Sequence, residues 1–186
     1  MVSLASLWLP ILLSSALVFV ASFVVHMVLT YHRSDIARLP GEDDIRAAFQ
    51  KSSVAPGDYM TPYAGSPEGM KSPEFIEKVT KGPVAIVTVM QSGGPPSINK
   101  NLAQWLVYCI VVSVFAAYVT SRAVPAGAPY LSAFRMAATT AFVGYALAQW
   151  QNSIWGGRKW STTIKNTFDG LVYGLLTGGA FGWLWP

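Results

Sequence analysis

KNTFDGLVYGLLTGGAFGWLWP, residues 165–186, decides how this chain is read. Gly170, Gly174, Gly178 and Gly182 recur every four residues, which places them on one stripe of a helix. The segment is long and apolar enough to be read as a membrane-spanning helix. In lipid, a stripe of small residues marks the line along which a second helix backbone comes close. Glycine costs roughly 1 kcal/mol against alanine inside a helix, so four on one line call for a packing reason. The stripe predicts a helix–helix interface, either with another span of this chain or with a second copy.

Working back from this fourth span (about Thr167 to Trp185), the third covers about Leu131 to Ala148. It repeats the theme with Ala133, Ala137, Ala141, Gly144 and Ala148, a second close-packing face. A short Pro- and Gly-rich link, RAVPAGAPY, joins it to a second span, Leu102 to Thr120, flanked by Lys100 and Arg122. Such a link predicts a tight turn between antiparallel helices. The first span runs from Leu4 to Leu29. Pro10 near its start is tolerated, because early helical N–H groups have no intrahelical partner. No Lys or Arg occurs among the first 25 residues, and the apolar run exceeds a signal h-region. It is read as a retained helix.

Composition supports a membrane protein. The 186 residues are 52% hydrophobic and only 12% charged, where a soluble domain carries about 25% charged residues. A net charge of +4 does not indicate nucleic-acid binding, because the basic residues flank apolar segments instead of forming a run. The single cysteine, Cys109, excludes an intramolecular disulfide.

Residues 31–100 form the one substantial extramembrane segment, with eight basic and eight acidic residues. EDDIRAAF predicts a short helix with acids at its positive end; the contiguous trio Glu42, Asp43 and Asp44 suits the helix dipole better than a metal. SPEFIEKVTKGP predicts a second, with Ser72 as N-cap, Pro73 at the first helical position and Gly82 past the end. PVAIVTVM is too short to cross a bilayer as a helix and reads as a strand. SGGPP, from residue 92, reads as a hinge into the second span. Three parts follow: a first transmembrane helix (1–30), an extramembrane cap (31–100) and a three-helix membrane region (101–186).

The expected fold is thus an all-α membrane protein of four transmembrane helices, with a small mixed cap between the first two. Basic residues concentrate on the side of the cap and of the 150–166 connection. The positive-inside rule then predicts a cytoplasmic cap, both termini outside, and an inner-membrane location.

Chemical signals are few. Asp169 is the only acid outside the cap. At a helix start its carboxylate would cap free N–H groups; one turn inside the membrane it would mark an ion or proton path. His26 is expected at similar depth, so an Asp169–His26 pair is a candidate path. His26 and His32 are six residues apart, a spacing that does not share a helical face, so no metal or haem site is expected from one chain. Trp155, Arg158, Lys159 and Trp160 could meet lipid head groups at the interface. The chain carries no G-x-S-x-G, H-E-x-x-H or phosphate-binding glycine loop, so no catalytic residue is assigned and no cofactor is expected.

Packing signals outweigh chemical ones. The leading expectation is an interaction protein, a homo-oligomer or accessory subunit of a membrane complex, joined through the Gly170–Gly182 stripe with Ala137, Ala141 and Gly144. The alternative is a small channel or transporter with an ion or proton path beside Asp169 and His26. A weaker third is an enzyme acting on membrane lipid through the tryptophan-rich connection.

Overall fold

A computed structural model describes every residue except Met1, Ser92, Pro95 and Pro96. The hinge read at SGGPP therefore lies partly outside the described residues. The chain divides into two units, Met1–Ile36 with Pro96–Pro186, and Ala37–Pro95. Each is taken by itself.

The larger unit is helical. The first helix, α1 (Trp8–Phe23), is preceded by a 3-10 turn, Leu4–Leu7, capped by the Ser3 hydroxyl, which accepts from Ala5 N–H. It is extended by a π-helical turn, Val24–Val28, and stops when Leu29 turns extended. After α4 (Ile98–Ala123) the chain turns at Gly127, whose φ of +71° favours glycine, into α5 (Tyr130–Tyr145). A 3-10 turn (Leu147–Gln149) and the short α6 (Trp150–Ile154) lead to α7 (Trp160–Trp183).

α1, α4, α5 and α7 close into a four-helix bundle, each packed on two neighbours in that cyclic order. Neighbours run antiparallel, as the cross-links require: Ser14 with Ser113 but Ser22 with Trp105, and Leu7 near Phe181 but Tyr31 near Asp169. Two apolar clusters fill the interior. One holds Val18, Cys109, Val112, Ala141, Tyr145 and Tyr173; the other Leu7, Ala116, Ala117, Ala137 and Phe181. Buried hydroxyls join helices where lipid offers no partner: Ser14 and Ser15 both donate to Ser113 Oγ, at 3.0 and 3.1 Å. The far end is tied shut by Gly127 N–H on Pro186 O and Trp185 Nε1 on Pro125 O.

Three helical stretches are long and apolar enough to cross a membrane: Leu4–Val28, Ile98–Ala123 and Tyr130–Ile154. Four spans were expected. The last helix has the length, but its glycines and threonines add little hydropathy and it carries Lys165 and Asp169. Its buried face mixes small and polar residues (Thr162, Thr163, Asp169, Gly170, Gly174, Thr177, Gly178) with Tyr173 and Phe181.

The smaller unit contains α2 (Glu42–Lys51), β1 (Gly57–Thr61), α3 (Pro73–Lys81) and β2 (Ala85–Val89). The two strands form an antiparallel pair in the register Gly57↔Val89 to Thr61↔Ala85. Ser72 caps α3 by accepting from Phe75 N–H at 3.2 Å, as its S-P-E start predicts. The partner strand GDYMT carries no strong sequence signal and was not expected. None of this unit's described residues is buried. A two-stranded sheet and two short helices supply too little apolar surface for a core.

Candidate functional site

The glycine stripe is occupied within the chain. A Cβ on Gly178 would stand 2.6 Å from Ala138 Cβ and 2.8 Å from Phe134 O; one on Gly174 would stand 2.9 Å from Ala138 O. Gly170 meets Ala146 at 2.7 Å and Gly182 the Tyr130 ring at 2.7 Å. All of these partners except Ala146, just past its end, belong to α5. The small residues of α5 turn elsewhere: a Cβ on Gly144 would meet Val112 of α4 at 3.2 Å, and Ala137 and Ala141 enter the two core clusters. The α7 stripe therefore leaves no line open for a second copy.

The polar chemistry gathers at the other end of the bundle. The π turn ends α1 at Val28, Leu29 is extended, and residues Tyr31–Ser34 fold back as a 3-10 turn. This reversal defeats the helical spacing and stacks the His32 ring on His26, centroids 4.6 Å apart and planes 7° from parallel. It also delivers Tyr31 and His32 to Asp169. That residue is not at a helix start as expected, because α7 begins at Trp160. Its carboxylate lies nearly three turns in, 4% exposed, and caps nothing.

Both Asp169 oxygens are engaged. Tyr31 donates its hydroxyl to Oδ1, and His32 Nε2 is 2.8 Å from Oδ2. The other His32 ring nitrogen, Nδ1, stands 2.7 Å from Asp35 Oδ2. Asp35 Oδ1 accepts from Lys165 Nζ at 2.7 Å, and Lys165 also donates to Tyr31 O and Ser34 Oγ, at 2.5 and 2.9 Å. One line of hydrogen bonds thus runs Tyr31–Asp169–His32–Asp35–Lys165. Two carboxylates, one ammonium and one imidazole balance in charge when the ring is protonated, and only then can both ring nitrogens donate. A neutral ring leaves the second proton to one of the carboxylates or takes a hydrogen bond away.

Environment tunes the parts outside the spans. Burial acts to raise the Asp35 carboxyl, but hydrogen bonds from Lys165 and His32 outweigh it and hold the group below the ordinary carboxylate range. Burial first, then the hydrogen bond and charge of Asp169, push the Tyr31 phenol upward, so it stays a neutral donor.

The expected Asp169–His26 pair forms only indirectly. His26 Nδ1 is 3.0 Å from Ser22 O, and the ring joins the network by stacking. His26, His32 and Asp169 each bring one potential ligand atom within 4.8 Å of the others. The six-residue spacing of the histidines does not keep these groups apart, and Tyr31 and Asp35 bond the other Asp169 oxygen and the other His32 nitrogen.

Asp169 and His26 also line a cavity of about 230 Å³, walled by Trp105, Tyr108, Tyr145 and Tyr173 and rimmed by Gln149, Asn166 and Arg158. Of the four residues assigned to lipid head groups, Arg158 reaches this cavity. Trp155 is 84% exposed, Trp160 packs edge-on against Trp150, and Lys159 is the N-cap of α7. Comparison with protein families, curated proteins and solved structures found no match, so the functional reading rests on this geometry.

Proposed function

We propose that the protein is a small proton-coupled membrane carrier in which Asp169, His32 and Asp35 pass protons between the internal cavity and the membrane surface at Lys165. One observation carries the reading: a nearly buried carboxylate inside a bundle of apolar helices is wired, through one imidazole, to a second carboxylate and a lysine. Ionisable groups in that setting are costly and mark proton or ion paths. Imidazole flanked by two carboxylates is suited to passing a proton, taking it on one nitrogen and releasing it from the other. Around this line stand His26 on the π turn that extends α1, Tyr173 on α7, Tyr145 on α5, Cys109 on α4, and Arg158 before α7.

On this reading α7 is the fourth span. Its 24 residues reach about 36 Å, enough for a bilayer, and it packs along α5 and α1, which hide its polar face. On the same reading the bundle sits in an inner membrane with both termini outside and the 31–100 segment cytoplasmic, as the charge bias favours. Assembly with a second copy or another subunit, the stronger expectation from sequence, loses its main support once the α7 stripe is filled by α5.

The test is proton flux into dye-loaded liposomes under a pH or voltage step. The wild-type protein should carry flux above empty liposomes, and Asp169→Asn should lower it at least tenfold. Wild-type flux equal to that of empty liposomes, or one tightly held divalent ion per purified chain, would overturn the relay.

A further inference from the structure

We infer that the cavity beside Asp169 binds the head of an amphiphile, a long-chain carboxylic acid, whose tail lies in an adjoining apolar groove. The groove, about 310 Å³, runs between α1 and α4 and is walled by Phe19, Phe23, Met27, Ile98 and Leu102. His26 and Trp105 line both spaces, so groove and cavity meet at these two side chains. The cavity alone is below, and the groove at the lower edge of, the roughly 300–1,000 Å³ of ligand sites; joined, they fall well within it.

The polar end is short of acceptors. Tyr145 and Tyr173 are each 3% exposed, and neither hydroxyl has a nitrogen or oxygen partner. Tyr145 has only the Cys109 thiol beside it, a weak partner. Buried hydroxyls left in this state are uncommon and costly. Arg158, on the rim, makes no ion pair or side-chain hydrogen bond among the described residues. Of the neighbouring amides, Gln149 donates to Tyr145 O and accepts from Asn166 Nδ2, so neither group is bonded to the tyrosine hydroxyls. What is missing is one acceptor group, planar and of single negative charge. A carboxylate fits a guanidinium fork in two parallel hydrogen bonds and gives the tyrosines their partner. An ammonium head would face Arg158, and a dianionic phosphate would crowd the Asp169 carboxylate in the same wall. The apolar groove requires the head to bring a long chain with it.

The inference stands whether or not the relay carries protons. It is tested by titrating the full chain, purified in detergent, with palmitate, hexadecanol and acetate, read by displacement of a fluorescent fatty acid. One palmitate per chain should bind, hexadecanol at least tenfold more weakly, and acetate not at all. Arg158→Gln and the double change Tyr145→Phe with Tyr173→Phe should each weaken palmitate about tenfold. Leu102→Trp, which fills the groove, should weaken palmitate and hexadecanol alike. Helix content and elution volume report folding for each variant. Equal binding of palmitate and hexadecanol, or wild-type affinity in both head-group variants, would mean ordinary lipid contact and overturn the inference. A phospholipid that co-purifies and is not displaced by palmitate would do the same. Asp35→Asn, in the relay but outside the cavity wall, separates the two readings: palmitate binding is retained there while proton flux falls.

Discussion

The two halves of α7 solve opposite problems on one helix. Its second half removes side chains, so that Gly174, Gly178 and Gly182 let α5 approach backbone to backbone. Its first half adds polar side chains, Lys165 and Asp169, and receives the Tyr31–Asp35 turn to satisfy them. The close-packed half holds no cavity involving Asp169; the polar half opens onto one. The contrast teaches that one helix can hold a close backbone contact with α5 in one half and a set of hydrogen-bonded ionisable groups in the other. Packing and chemistry are thereby separated along a single element.

The sharpest way to break this division is Gly178→Leu. A first added carbon already meets Ala138 Cβ at 2.6 Å and a backbone oxygen at 2.8 Å, neither of which can swing aside. A loss of about 3 kcal/mol or more is expected, read as a large drop in melting temperature in detergent. At the polar half Asp169→Asn keeps the shape, so folding should survive while flux falls tenfold or more. If the order reversed, with Asp169 governing folding and Gly178 neutral, the two halves would have been misread.

Between them, Ser113→Ala removes one hydroxyl that receives both Ser14 and Ser15. Hydrogen bonds of this kind between membrane helices are worth about 0.6–1.7 kcal/mol, and the thermal shift should match. A smaller effect is expected from pH. Because Asp35 is held below its ordinary value of about 4, its pairing stabilises the fold fully above that value and is lost as pH falls through the lowered one. Asp35→Asn should remove that acid-side loss from a series of melting curves; an unchanged series would mean that Asp35 contributes nothing. Least of all, Glu74→Gln in the smaller unit should leave stability unchanged. Its carboxyl is lowered by the Lys78 hydrogen bond, but the pair is fully exposed and water screens it.

Legibility followed the same division. The helices, the tight turn before Tyr130 and the glycine stripe were visible because period and composition act locally, and the cap of α3 was readable from Ser72 and Pro73 alone. The relay was not. His26 and His32 are set about 120° apart around an ideal helix, and only the π turn with the reversal at Leu29 superimposes them. A Thr-Tyr-His-Arg-Ser run closing an apolar span was the available hint that the helix stops there. Asp169 is legible as the only acid outside the cap, but its place at a helix start is not borne out, because α7 starts seven residues before Thr167, at Trp160. The polar stretch Trp160–Asn166 reads as a connection, and tertiary contacts with the Tyr31–Asp35 turn make it helix. The strand Gly57–Thr61 has no alternation to betray it and depends on its partner.

The central claim is that Asp169 and His32 belong to one proton relay. Flux into dye-loaded liposomes for Asp169→Asn, His32→Ala and the pair combined measures this directly, because residues that act as a unit are not additive. The account expects each single change to lower flux at least tenfold, and the double change to be no slower than the slower single. Two independent losses that multiply in the double variant, or a His32→Ala protein with wild-type flux, would contradict it.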